Sequence, residues 1–188
     1  FPTRRSSDLV LAEETTITLP EGSVTVIKGR SGSGKSTLLN VMGGLLQPDA
    51  GQVFLDDNSF YLLADRELSR LRNRYIGIIP QGHTALRSLT VLENVMLPVH
   101  LYTPEQDVYD RAMQLLQRTG MKTLADAIPS ELSGGELRRM AIARSLLQNP
   151  PILLADEPTG DLDDENTELV LQLIRQTADE GTAVLLVT

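Results

Sequence analysis

The stretch Gly29-Arg30-Ser31-Gly32-Ser33-Gly34-Lys35-Ser36-Thr37 decides the fold. Residues 29–36 fit the pattern G-x-x-x-x-G-K-[ST], between an apolar run over 24–27 that reads as a buried strand and a run over 35–42 that reads as a helix. Glycines let the chain take the positive φ values that turn successive N–H groups inward, and a helix N-terminus adds partial positive charge. Lys35 is placed to neutralise the β- and γ-phosphates of a nucleotide, and the Ser36 hydroxyl to hold Mg²⁺. The stretch reads as a P-loop. A Gly/Ser-rich turn that caps a helix is the purely structural alternative.

Working outward, the apolar runs predict further strands over 15–19, 51–55, 76–79, 152–155 and 183–187. Helical periods occupy 66–74, 91–99, 104–119, 136–147 and 163–180, and Gly43-Gly44 and Gly120 serve as stops. Strands that are apolar on both faces and alternate with helices predict a parallel sheet covered on both sides. Residues 1–8 are polar, carry Pro2 and the Arg4-Arg5 pair, show no period of two, and are set aside as a non-native leader. The final run over 182–188 reads as a strand cut short, so the chain is expected to be a fragment.

A chain of 188 residues, 41% hydrophobic and 22% charged, suffices for one well-packed domain. Seventeen Lys and Arg against twenty-five Asp and Glu give a net charge of −8, which argues against a surface that covers nucleic acid phosphates or anionic lipid. The chain has no cysteine, which excludes disulfides and thiolate metal sites, and His83 and His100 stand too far apart for a helical metal pair. No apolar run approaches the roughly 20 residues of a membrane span.

Two further stretches carry chemistry. Residues 152–157 end a buried strand in Asp156 and Glu157, where a parallel sheet opens its ligand crevice. Asp156 suits a Mg²⁺ shell, and Glu157 suits the polarisation of a water that attacks the γ-phosphorus in line. A solvated strand end or a helix-capping pair is the alternative. Leu132-Ser133-Gly134-Gly135-Glu136 places two glycines and a hydroxyl at a helix start, a second anion-binding surface without a lysine. Ser133 at N-cap with Glu136 at N3 is also a capping box, which is compatible with that role.

These motifs, with Gln81 after an apolar strand and Asp163 closing the Asp156-Glu-Pro-Thr-Gly160-Asp-Leu-Asp163 stretch, occur in an order and spacing that resembles the nucleotide-binding domain of ATP-binding cassette (ABC) transporters. The resemblance implies an α/β P-loop NTPase with a RecA-like core, a parallel sheet, N-terminal antiparallel β strands and an inserted helical subdomain at about 82–147. It implies a single ABC ATPase domain over 9–188. Gly29, Arg30, Ser31, Gly32, Ser33, Gly34, Lys35, Ser36 and Thr37 would bind ATP, and Glu157 and Gln81 would serve catalysis. Ser36, Gln81 and Asp156 would hold Mg²⁺, Asp163 would form the D-loop, and Ser133, Gly134, Gly135 and Glu136 would act on the ATP of a partner.

A finer resemblance, to ATPases of lipoprotein-release, macrolide-export and antimicrobial-peptide-export systems, rests on Gly43-Gly44-Leu45, Leu92-Glu-Asn-Val95 with Leu97-Pro98, and residues 156–163. It implies a homodimer, transmembrane permease subunits and a cytoplasmic location, peripheral on the inner face of the plasma membrane through the permease. The implied function is ATP hydrolysis that powers an exporter or a lipoprotein-release system. The alternative is the ATPase of a mechanotransmission complex that regulates extracytoplasmic enzymes. Soluble cassettes that act on nucleic acid are disfavoured by the acidic charge and the lack of a basic stripe.

Departures from the family pattern are Leu137, where a polar Gln is usual, and the missing aromatic before Gln81. The adenine-stacking aromatic would fall in the leader, and the switch His would follow Thr188, so the chain as given is expected to hydrolyse ATP poorly. His83 and His100 are expected to be ordinary, partly exposed residues.

Overall fold

The computed structural model describes residues 16–56, 58–82 and 84–188. The leader, the first residue of the strand expected over 15–19, and His83 lie outside these. In chain order the elements are β1 (Val24–Ile27), α1 (Lys35–Met42), β2 (Phe54–Leu55), β3 (Asn58–Ser59), α2 (Asp65–Tyr75) and β4 (Ile76–Ile79). There follow α3 (Val91–His100), α4 (Tyr109–Arg118), α5 (Gly134–Leu146), β5 (Ile152–Asp156), α6 (Asp164–Asp179) and β6 (Ala183–Val187).

The main sheet has the order β1-β6-β5-β4, and every pair in it is parallel. The register sets Val24 beside Val184, Ile152 beside Ala183 and Ile76 beside Ile152. All five residues of β6 are buried, and their period of two divides them between opposite faces. Val184 and Leu186 join Ile79, Leu153 and Ala155 against α3, α5 and α6, whereas Leu185 and Val187 join Leu154, Leu39, Phe60 and Leu68 on the α1 and α2 side. Burying each of the Val, Leu, Ile and Phe side chains contributes about 1.5–3 kcal/mol. The double coverage explains why these strands read as continuous apolar runs.

The antiparallel pair is β2 with β3, joined in register Phe54 to Ser59. Residues 16–19 form no strand, and the strand expected over 51–55 shortens to Phe54–Leu55. The helix expected over 104–119 starts only at Tyr109, after a turn in which Tyr109 N donates to Asp107 Oδ1 at 3.0 Å. Period alone does not separate a helix from the polar turn before it.

α3 and α4 both pack on α5, and α5 lies against β4. That last contact is close because β4 has glycine at Gly77, where a Cβ would meet the Ser145 carbonyl oxygen at 2.6 Å. Asn94 is fully buried but satisfied: its Nδ2 donates to the carbonyls of Leu86, Leu89 and Thr90, and its Oδ1 accepts from Leu86 N–H. The 86–90 turn is thereby fastened to α3, which gives Leu92-Glu-Asn-Val95 a structural reason. Among the described residues no helix is long and apolar enough to cross a membrane.

Candidate functional site

The loop from β1 to α1 folds as its glycines allow. Gly32 and Gly34 take φ of 78° and 87°, values that a side chain would oppose. α1 then starts with no side-chain cap and no acid in its first turn, leaving its first N–H groups for an anion. Lys35 is 9% exposed, and its Nζ donates to the Gly29 carbonyl at 2.8 Å and to the Arg30 carbonyl at 3.1 Å. The ammonium thus closes the loop on itself and stands at its mouth.

β5 delivers the acids. Asp156 is 6% exposed, and its Oδ1 is buried with no hydrogen-bond partner among the described residues. Leaving a buried carboxylate oxygen unsatisfied costs free energy, and a cation ligand is the kind of group that relieves it. Glu157 leaves the strand with φ of 43°, a left-handed backbone that costs on the order of 1–3 kcal/mol outside glycine and is typical of functional sites. Its N–H is held by the Val187 carbonyl at 2.9 Å. The turned carboxylate accepts from Gln81 Nε2 at 2.8 Å and lies 4.0 Å from Lys35 Nζ.

The loop, strand β5 and Gln81 therefore converge. Ser31, Gly32, Gly34, Lys35, Ser36, Thr37, Gln81 and Glu157 line one open cleft of about 440 Å³. A carboxylate, an ammonium, a hydroxyl and free helix N–H groups in one cleft can hold a polyphosphate and orient a water against its terminal phosphorus. Among the described residues no cluster of His, Asp and Glu could hold a metal unaided.

Ser133, Gly135 and Glu136 do not line this cleft. Gly134 lines a second cavity of about 130 Å³ beside it, shared with Gln81, Gly82, Arg138, Glu157, Gly160, Asp161 and Leu162. The capping box forms as its sequence predicts: Ser133 N and Oγ both donate to Glu136 Oε2 at 2.7 Å, and Glu136 N donates back to Ser133 Oγ at 3.3 Å. These bonds hold the Glu136 carboxyl below the ordinary glutamate range. Asp163 caps α6 by accepting from Asn166 N at 2.8 Å, and the backbone and side-chain N–H groups of Asn166 hold its pKa down as well. Asn166 also accepts from Arg139, so α5 and the start of α6 are tied together.

Sequence reasoning missed Arg138, Arg139 and Asn166. The signal for Arg138 lay in its place on the helix side that turns inward, where a charged residue is unexpected. His100 ends α3 and is exposed, the ordinary residue expected of it.

The ABC transporter family pattern matches residues 12–160. The chain belongs to the ABC transporter family. This ABC cassette is 40% identical over 190 residues to the lipoprotein-releasing system ATP-binding protein LolD of Francisella tularensis subsp. tularensis (strain FSC 198), covering 99% of this chain and 82% of that protein. LolD of Bacteroides fragilis (strain YCH46) is 44% identical over 156 residues, which cover 82% of this chain and 72% of the relative. Among solved structures, the ATP-binding cassette MJ0796 in a dimeric post-hydrolysis state bound to ADP and Pi superposes with a TM-score of 0.88 at 36% identity, covering 99% of this chain and 83% of that one. Another dimeric structure of MJ0796, a bacterial ABC transporter cassette, gives a TM-score of 0.84 at 39% identity, covering 92% of this chain and 77% of that one. The ABC cassette described here is an ATPase of the P-loop NTPase fold.

Proposed function

We propose that this ABC ATPase is the energy-supplying subunit of a LolD-like lipoprotein-release or export system, working as a homodimer on transmembrane permease subunits at the inner face of the plasma membrane. The observation that carries the ATPase part of the reading is the convergence of Lys35, Ser36, Gln81 and Glu157 on one cleft, with the orphan oxygen of Asp156 at the end of β5, and the 40% identity to LolD supports the choice of system. The unit that acts is one domain over 9–188, with a helical subdomain at about 82–147.

In this reading residues 29–37 wrap the phosphates, and Lys35 exchanges its two carbonyl partners for β- and γ-phosphate oxygens. Ser36, Asp156 and the amide oxygen of Gln81 would hold Mg²⁺, which supplies charge neutralisation at the phosphates when bound. Glu157 orients a water and draws on its proton as the water oxygen bonds to the γ-phosphorus. The bond from that phosphorus to the bridging oxygen breaks, giving ADP and inorganic phosphate. Ser133, Gly134, Gly135 and Glu136 serve the nucleotide of the second subunit, and Asp163 with Asn166 holds the helix starts at that junction. The dimeric structures of the related cassette MJ0796 support a role in trans.

Mixing two inactive variants tests the arrangement. Lys35→Ala and Ser133→Arg subunits should each hydrolyse poorly, yet the mixture should regain turnover, because the heterodimer holds one composite site free of both lesions. A mixture no more active than its parents would count against the shared site.

A further inference from the structure

Arg138 stands in the second turn of α5 and is only 5% exposed. Its Nη1 donates to the Pro80 carbonyl at 2.7 Å, and among the described residues its buried Nε has no hydrogen-bond partner and no carboxylate comes within ion-pair distance of it. Burial pushes the guanidinium pKa down, against the weaker pull of Asp161 and Asp156. A cation buried in this way costs stability, and an apolar side chain of similar length would cost less. Folding alone gives no reason for an arginine here.

Its contact supplies one. The Pro80 carbonyl immediately precedes Gln81, the donor to Glu157. Six residues further along α5, Arg144 donates to the Thr84 carbonyl at 3.0 Å and to Thr84 Oγ1. The Gln81 loop is thus fastened to one helix on both sides of Gln81, and Ser133 caps the start of that helix. Arg138, Gln81, Gly134 and Glu157 also share the walls of the 130 Å³ cavity.

We infer that Arg138 is a positioning residue for hydrolysis, which fixes the Gln81 loop to α5 so that a displacement of the Ser133 end of that helix reaches Glu157 through Pro80 and Gln81. The inference rests on the ATPase role proposed for Glu157, and on the trans role of Ser133 for the origin of the displacement. One consequence is that nucleotide held at the helix start adjusts the carboxylate of the opposite site.

The test compares Arg138→Met, which keeps length and loses the donors, with Arg138→Lys, which keeps one charged donor, both in the full chain. Without nucleotide, the NMR signals of the Gln81 side-chain amide and the Gly82 backbone N–H should move toward those of a free loop in Arg138→Met and stay near wild type in Arg138→Lys. With ATP, Arg138→Met should lower kcat about tenfold, the worth of one charge-assisted hydrogen bond, with KM within about twofold, and Arg138→Lys should recover most of the loss. The thermal midpoint of Arg138→Met should hold or rise. Unmoved Gln81 and Gly82 signals, or an unchanged kcat, would overturn the inference, as would a midpoint that falls in step with kcat without rescue by lysine. A wild-type chain without ATP turnover would sink the proposed role of Glu157, while the nucleotide-free spectra would still decide whether Arg138 holds the loop.

Discussion

Gln81 and Glu157 are joined across 76 positions of sequence by a 2.8 Å hydrogen bond from Nε2 to Oε2. The same carboxylate lies 4.0 Å from Lys35 Nζ, so the loop after β4, the end of β5 and the start of α1 meet on one acid. Each of these residues is carried to the same carboxyl end of a parallel sheet because all its strands point the same way.

Lys35→Ala should weaken Mg-ATP binding by about 10- to 100-fold, the equivalent of losing charged hydrogen bonds of about 1.5–3 kcal/mol to the phosphates. Calorimetric titration measures it, and unchanged affinity would show that the loop is not the phosphate cradle.

Glu157→Gln should leave ATP affinity within a few-fold and reduce turnover on the order of 10²- to 10⁴-fold, the range of a positioned acid or base. The amide can still accept from Gln81 but cannot draw on the proton of water. Phosphate-release assays beside size exclusion with ATP should show a slow enzyme that accumulates as an ATP-bound dimer. Turnover near wild type would assign the water to another group.

Glu136 makes stability depend on pH. Its carboxyl is held down by the Ser133 backbone and hydroxyl bonds, so its contribution is present above the ordinary glutamate pKa of about 4.3 and is lost as pH falls through the lower folded value. The thermal midpoint of wild type should therefore exceed that of Glu136→Gln by a constant margin at neutral pH, and the margin should shrink on acidification below about pH 4. A margin that does not change with pH would remove the carboxylate from the cap.

Gly77→Ala should destabilise the cassette by about 1–3 kcal/mol, because the added methyl meets the Ser145 carbonyl at 2.6 Å and Leu153 and Pro150 at 3.0 Å. Urea unfolding reads the loss. A midpoint equal to wild type would mean that α5 can move off β4 at no cost.

The extent of β1, α1, β4 and β6 was legible in the sequence, and that of the strand before Glu157 to within one residue, because local steric preference and apolar period act within a few residues. So were the phosphate loop and the capping box at Ser133, whose partners lie within one turn of each other. Residues 16–19 of the strand expected over 15–19 are no strand, and the helix expected from 104 starts at Tyr109, because alternation or helical period in the sequence extends beyond the residues that keep a regular backbone.

By itself, then, the chain determined the P-loop, the acids after a buried strand and the doubly covered parallel sheet, since each follows from residue type at short separation. Only the tertiary structure decided that Glu157 turns into the left-handed region to meet Gln81, and that α5 and β4 touch through Gly77. It alone placed the buried Arg138 on the carbonyl before Gln81. These contacts join segments that no local period relates, and their geometry is set by how closely two packed elements approach, a quantity that exists only once the sheet and its helices have assembled.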